Sequence, residues 1–146
     1  FYRFRINQAI KQLQRKRLVK VRSVTGGYEL RITSRGKEKV ARLNLEDLSI
    51  SIPNQWDGVW RIVGFDIPEH RKSARDALRA LLKRLGFYQL QKSVWVLPWP
   101  CRDEIDTIRE AYGLQDDLWY CETGVLDREV ELRARYNLLL ARGSNR

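Results

Sequence analysis

The 146-residue sequence has no methionine, one histidine, two cysteines and four prolines. Each scarcity removes a class of reading. Cys101 and Cys121 cannot build a disulfide framework and lack the spacing of a zinc site. Both are expected as reduced, buried thiols. The single histidine, His70, follows Glu69, and nothing in the sequence surrounds it with a nucleophile or a ligand set. It is therefore expected to be neither a general base nor a metal ligand. A glycine-rich phosphate loop and a nucleophile elbow are both missing. No apolar run approaches the roughly 18 residues that a membrane span needs. No charged-then-apolar leader precedes a small-residue cleavage site. The expectation is a cytoplasmic protein with no membrane partner. Phe1 falls in mid-pattern and methionine is lacking, so the natural start is expected to lie further upstream.

Acidic residues are scarce too, but only in the first third. Residues 1–45 hold thirteen Lys/Arg against two Asp/Glu, a net of +11. Residues 46–146 hold fifteen against sixteen, a net of −1. The whole formal excess of +10 is thus concentrated in one segment, where it creates a field that attracts polyanions. Hydrophobic residues make up 43% of the chain, enough to bury a core and too many for a disordered one.

The basic segment has a recognisable pattern. Ile6, Ala9, Ile10 and Leu13 recur at helical spacing and predict a helix over residues 5–16. Its opposite face carries Asn7, Gln8, Lys11, Gln12 and Arg15, and Lys16 and Arg17 close it. Leu18–Val24 and Tyr28–Ile32 read as strands around the turn signal Thr25-Gly26-Gly27. Thr33 or Ser34 then caps a helix running to about Leu43. Helix, basic hairpin, helix is the order of the second half of a winged helix-turn-helix. The expected domains are a partial winged helix over 1–45, a linker over 46–57, a ferredoxin-like domain over 58–125 and a C-terminal helix over 126–146.

The second unit reads strand (Val59–Phe65), helix (Ala74 to Leu85, ended by Gly86), strands (Phe87–Gln91 and Ser93–Leu97), helix (Asp103–Tyr112) and strand (Leu118–Glu122). Strand-helix-strand-strand-helix-strand is the ferredoxin-like order, so the fold class is α+β. The first strand is apolar on both faces: Trp60 and Ile62 on one, Val59, Val63 and Phe65 on the other. Both helices cover one sheet face. The other is expected either to form a symmetric dimer or to be covered by the C-terminal helix, whose stripe is Val130, Ala134, Leu138 and Ala141. Arg71, Arg75, Arg79 and Lys83 are expected as a solvent-facing ridge. The five tryptophans are expected as core and interface residues, with Trp99, between Pro98 and Pro100, the exception that is free to stack on bases.

The run Trp60-Arg61-Ile62-Val63-Gly64-Phe65-Asp66-Ile67-Pro68-Glu69, with Arg71, Arg75, Leu78, Arg79, Leu82, Gly86-Phe87, Ser93-Val94-Trp95-Val96 and Pro98, resembles the central domain of the PaaX family of transcriptional repressors. The resemblance covers about residues 5–123. It implies an N-terminal winged helix, a central ferredoxin-like domain, and double-stranded DNA, a second copy of the chain and a small-molecule or acyl-CoA effector as partners. The tail after Thr123, about 23 residues, is shorter than that family's usual C-terminal region. The central domain is also similar to the small CRISPR-associated ribonuclease-like subunit. There Asp66, Arg75 and Ser93-Val94-Trp95 match family positions, and paired aspartates across a dimer can bind a divalent metal.

Base edges are read in the major groove, and phosphate contacts supply affinity by counterion release. Gln8, Lys11, Gln12 and Arg15, with Asn7, are therefore expected at base edges. Lys20, Arg22 and Arg31 on the wing, with Lys16 and Arg17, are expected at phosphates or the minor groove. The leading expectation is a dimeric DNA-binding regulator on a roughly palindromic operator, without a cofactor. One alternative is a Mg²⁺-dependent nuclease using Asp66 as catalytic residue and metal ligand. Another is a non-enzymatic module whose basic arm binds any polyanion. A structural place for Asp66 at the strand–helix junction competes with the nuclease reading.

Overall fold

The computed structural model describes residues 2–138. They form two compact units. The first comes mainly from residues up to Leu48, together with Asp106–Gln115. The second comes from Ser49–Ile105 and the residues from Asp116 onward.

In the first unit, helix α1 (Tyr2–Arg15) leads into strands β1 (Val19–Val24) and β2 (Gly27–Ile32), and then into helix α2 (Ser34–Glu46). The strands pair antiparallel, from Val19 opposite Ile32 to Val24 opposite Gly27. Gly26, at φ +87°, lets the chain reverse between them. Thr33 is the cap of α2, its Oγ1 accepting from the Gly36 amide at 3.0 Å. The helix outlasts its expected end at Leu43 and runs into the segment expected as linker.

The apolar stripe of α1 stays open among the described residues. No residue of α1 is buried, and Ile6 and Leu13 remain 51% and 39% exposed. A stripe needs a facing element to bury it, and among the described residues α1 packs mainly along β1.

Gly36 marks the tightest approach in this unit. A Cβ there would collide with the Leu18 carbonyl oxygen. Gly→Ala inside a helix normally stabilises by about 0.5–1 kcal/mol. Here Gly36→Ala is expected to destabilise instead, by about 1–3 kcal/mol, because α2 must withdraw from the Leu18 backbone. Urea unfolding of the variant checks this, and a gain in stability would contradict the close packing.

The second unit holds β3 (Trp60–Phe65), a 3-10 turn (Glu69–Arg71), α3 (Lys72–Arg84), β4 (Tyr88–Gln91), β5 (Val94–Leu97), the start of α4 (Arg102–Tyr112), whose residues from Asp106 on belong to the first unit, β6 (Leu118–Thr123) and α5 (Glu129–Arg135). The sheet order is β4-β5-β3-β6, with every pairing antiparallel. This is the ferredoxin-like arrangement read from the sequence. Leu78, Leu81 and Leu82 of α3 and Ile105 and Ile108 of α4 are buried, as are Val63 and Phe65 of β3. Gly86, at φ +97°, ends α3 with the Phe87 amide donating back to the Leu82 carbonyl at 3.0 Å.

The second sheet face is covered by the C-terminal segment. Trp60, Val96 and Leu132 form a buried cluster, with Trp56, Ile62, Tyr88, Leu90, Leu126, Tyr136 and Leu138 packed on it. The expected stripe of that helix is corrected in part: Val130, at 83%, and Ala134 are exposed and Leu132 is 1% exposed, while Leu138 does pack on the cluster. Arg128 precedes the helix in the left-handed region, and Leu132 and Tyr136 pack at the sheet. Ala141 lies outside the described residues. The Tyr136 hydroxyl donates to the Gly86 carbonyl at 2.7 Å and lies 3.2 Å from the Val96 carbonyl.

Arg61 is 5% exposed, an unusual place for a charge. Its guanidinium meets Asp57 through two nitrogens, at 2.8 and 2.6 Å, and donates to the carbonyls of Val59 at 2.9 Å and Pro98 at 2.8 Å. The Arg61 hydrogen bond holds the Asp57 carboxyl below its ordinary value. Burial pushes the Cys101 thiol and the Tyr136 phenol up to about 12.

These shifts predict the pH dependence of stability. Cys101 and Tyr136 are neutral in the fold, so their contribution is complete at neutral pH. It is lost as the pH climbs above their ordinary values of 9.0 and 10.0 toward 12. The contribution of Asp57 is present above its ordinary 3.8 and is lost as the pH falls through its lower folded value. Urea midpoints are therefore expected to fall at both extremes, with these three groups contributing no slope between about pH 5 and 8. A slope there from Cys101→Ser or Tyr136→Phe relative to the parent would contradict it.

The expectation of two buried thiols holds for Cys101 only. Cys121 is exposed, because it stands on the edge strand β6. The arginine ridge on α3 is also corrected. Arg71 pairs with Asp117 at 3.2 Å and Arg75 with Glu69 at 3.1 Å. Arg79 donates to the Lys92 carbonyl at 3.0 Å and sits 5.8 Å above the Phe65 ring. Long side chains lie back along the surface to reach these partners, and of the four only Lys83 is exposed.

Candidate nucleic-acid interface

α1 ends in a Schellman motif. The Leu18 amide donates to the Leu13 carbonyl at 3.0 Å and the Arg17 amide to the Gln14 carbonyl at 2.9 Å. The motif needs a left-handed residue, and Arg17 supplies it at φ +58°. Glycine would fit there without strain, so a long cation at this corner stores a small backbone cost beside a charged surface. The Thr33 hydroxyl donates to the Arg17 carbonyl at 2.7 Å and locks the corner.

Asn7, Gln8, Lys11, Gln12, Arg15, Lys16 and Arg17 are all exposed. The hairpin alternates cleanly. Val19, Val21, Leu30 and Ile32 share one face, and Lys20, Arg22, Glu29 and Arg31 the other. The structure thus places the ten candidate contact residues along α1 from Asn7 to Arg15, at its corner and on one face of the hairpin.

One feature of this face escaped the sequence reading. Glu29 lies 3.1 Å from Arg22 and 2.9 Å from Arg31, so one carboxylate serves both wing arginines. Lys20 stands directly opposite Arg31 without such compensation. The signal was present in the hairpin register, since Arg22 and Glu29 are cross-strand partners. Glu29→Gln is expected to free both guanidinium groups. Affinity for any duplex then rises severalfold, and the log–log salt slope steepens by about 1. Fluorescence anisotropy at several salt concentrations reads both, and an unchanged slope would remove the wing from the interface.

Asp66 is exposed at the end of β3, and its amide donates to the Asp117 carbonyl at 2.9 Å. The Asp117 carboxylate is itself engaged by Arg71. Among the described residues, no group of three or more His, Cys, Asp or Glu is placed to hold a metal ion. His70 is exposed on the 3-10 turn.

Trp99 does not stand free as expected. Its ring meets Tyr136 edge-on at 6.3 Å, because the C-terminal segment folds back over the sheet. Trp119 is the exposed one, at 48%, and its indole fills the space that a side chain at Gly64 would take.

The model of the PaaX protein central Cas2-like domain matches residues 53–133, more than half of the chain. The chain belongs to the PaaX family. The match begins just ahead of β3 and ends within α5, so it takes in the sheet, both of its helices and Leu132. No curated protein matches the chain. Among the described residues of this PaaX-family chain, no helix is long and apolar enough to cross a membrane.

Proposed function

We propose that the chain is a DNA-binding transcriptional regulator, a repressor of the PaaX type, that binds a roughly palindromic operator as a homodimer. The observation that carries this reading is the basic segment. A net charge of +11 lies within residues 1–45, spread over α1, the hairpin and α2, and all ten candidate contact residues on α1, its corner and the hairpin are exposed. α1 is the recognition helix. Gln8, Lys11, Gln12 and Arg15 meet base edges, and the corner and wing meet phosphates. The ferredoxin-like unit supplies the two-fold axis. The C-terminal segment already covers Trp60, which leaves the end of the sheet around Trp119 and Gly64 for the partner protomer.

The test is a titration of duplex from the region upstream of the protein's own gene, at several salt concentrations, with unrelated duplex as competitor and Mg²⁺ present. Saturable binding that resists competitor and weakens steeply with salt, with intact DNA, is the expected result. Binding indifferent to sequence would reduce the reading to a polyanion-binding arm. Mg²⁺-dependent cleavage that Asp66→Asn abolishes would replace it with a nuclease. Sedimentation at micromolar concentration showing only a 17.3 kDa species would remove the dimer.

A further inference from the structure

A second basic surface adjoins the α1 corner at Lys16. Arg35, Lys39 and Arg42 recur at i, i+4 and i+7 and so share one side of α2. With Lys16, Leu18 and Glu38 they line a cleft of about 390 Å³ in the first unit. Four cations thus converge with one carboxylate. Among the described residues, none of the four forms an ion pair, with Glu38 or with any other acid. This contrasts with Arg22 and Arg31 on the wing, Arg71 on the 3-10 turn and Arg75 on α3, each of which has an acidic partner.

The walls of the cleft are fixed to each other. The Thr33 amide donates to the Leu18 carbonyl at 3.0 Å, and the Thr33 hydroxyl to the Arg17 carbonyl at 2.7 Å. Gly36 presses directly on the Leu18 backbone. Arg42 is held as well, its Nε donating to the Ala111 carbonyl at 3.1 Å. The cations therefore cannot relieve their repulsion by letting the walls part. Like charges gathered on a fixed frame favour an anion between them. Guanidinium forks beside ammonium groups suit the several oxygens of a phosphate better than a single carboxylate.

We propose that this cleft is a phosphate-binding site, filled by a phosphate of the DNA backbone or by that of a free phosphorylated small molecule. With the backbone as source, the site deepens the regulator reading and rests on it. With a free ligand it stands alone.

The test uses the Arg35→Gln/Lys39→Gln double variant, whose changes are on an exposed helix face and keep helix propensity. In the first arm, duplex is titrated at several salt concentrations. Loss of backbone contacts is expected to weaken specific and unrelated duplex alike and to lower the log–log salt slope by about 1–2. In the second arm, without DNA, the thermal midpoint is followed against sodium pyrophosphate, with sodium chloride at matched ionic strength as reference. A rise in the parent that is lost in the variant identifies a free phosphate ligand. A variant unchanged in both arms overturns the site. If the parent binds no duplex at all, the regulator reading falls, and the pyrophosphate arm alone decides the cleft. Should the double variant fail to fold, Lys39→Gln carries the same two readings.

Discussion

Trp60→Ala is expected to lower the unfolding free energy of the second unit by about 3–5 kcal/mol. The side chain has no exposed surface. It stands on the central strand β3 and points away from α3 and α4 into the cluster made with Val96 and Leu132. Its ring lies 4.8 Å from that of Trp56, tilted by 54°, and its Nε1 is 3.4 Å from a Glu129 carboxylate oxygen. Glu129 is also held by Arg133 at 2.8 Å, and Arg133 stacks over Trp56 at 4.7 Å. Removing the indole opens a cavity beneath α5 and takes away the surface on which that short helix rests. A helix of seven residues has little stability of its own, so its folding depends on this contact. Leu132→Ala is expected to cost about 2–5 kcal/mol for the same reason. Urea unfolding followed by near-ultraviolet circular dichroism checks both. A loss below about 1 kcal/mol in each, the range of a surface change, would mean that the C-terminal segment does not cover this face in solution.

Gln12→Ala/Arg15→Ala is expected to reduce affinity for the protein's own operator by about 10²–10⁴-fold, since each lost base contact costs about 1–3 kcal/mol. Both side chains are exposed on the polar face of α1. Affinity for unrelated duplex is expected to fall far less, because only the charge of Arg15 serves both kinds of site. The ratio of the two affinities is therefore the informative quantity. If it is unchanged while both fall together, α1 contacts the backbone and does not read sequence. If neither falls, recognition lies elsewhere. Folding is not at issue, because α1 contributes no buried residue.

Much of this was legible in the sequence because local chemistry decides it. Thr33, three residues ahead of the Gly36 amide, announces the start of α2, and Gly86 announces the end of α3. The spacing of Leu78, Leu81 and Leu82 gives the buried side of α3 with no further information. The charge asymmetry is a sum over residues and needs no fold at all. Readings that depended on a neighbour fared differently. Arg71 and Arg75 look free in sequence, yet Asp117 and Glu69 reach them through space. Of the pattern Val130, Ala134, Leu138 only Leu138 packs on the sheet cluster, and Leu132, outside that pattern, is buried there, because the phase of so short a helix is set by its contacts. Trp99 and Trp119 cannot be ranked by exposure until the fold decides which one the tail covers.

For this protein the sequence by itself determined the elements, their order, the ferredoxin-like class and the concentration of positive charge at one end. Those follow from backbone propensity, hydrophobic period and simple counting, all of which act over a few residues. Only the tertiary structure decided which charges remain uncompensated. Arg22 and Arg31 share Glu29 across a hairpin, whereas Lys16, Arg35, Lys39 and Arg42 meet around a cleft and, among the described residues, form no ion pair. The physical reason is range. Ion pairing and burial depend on distances of a few ångströms between residues far apart in the chain, and no local pattern encodes those distances.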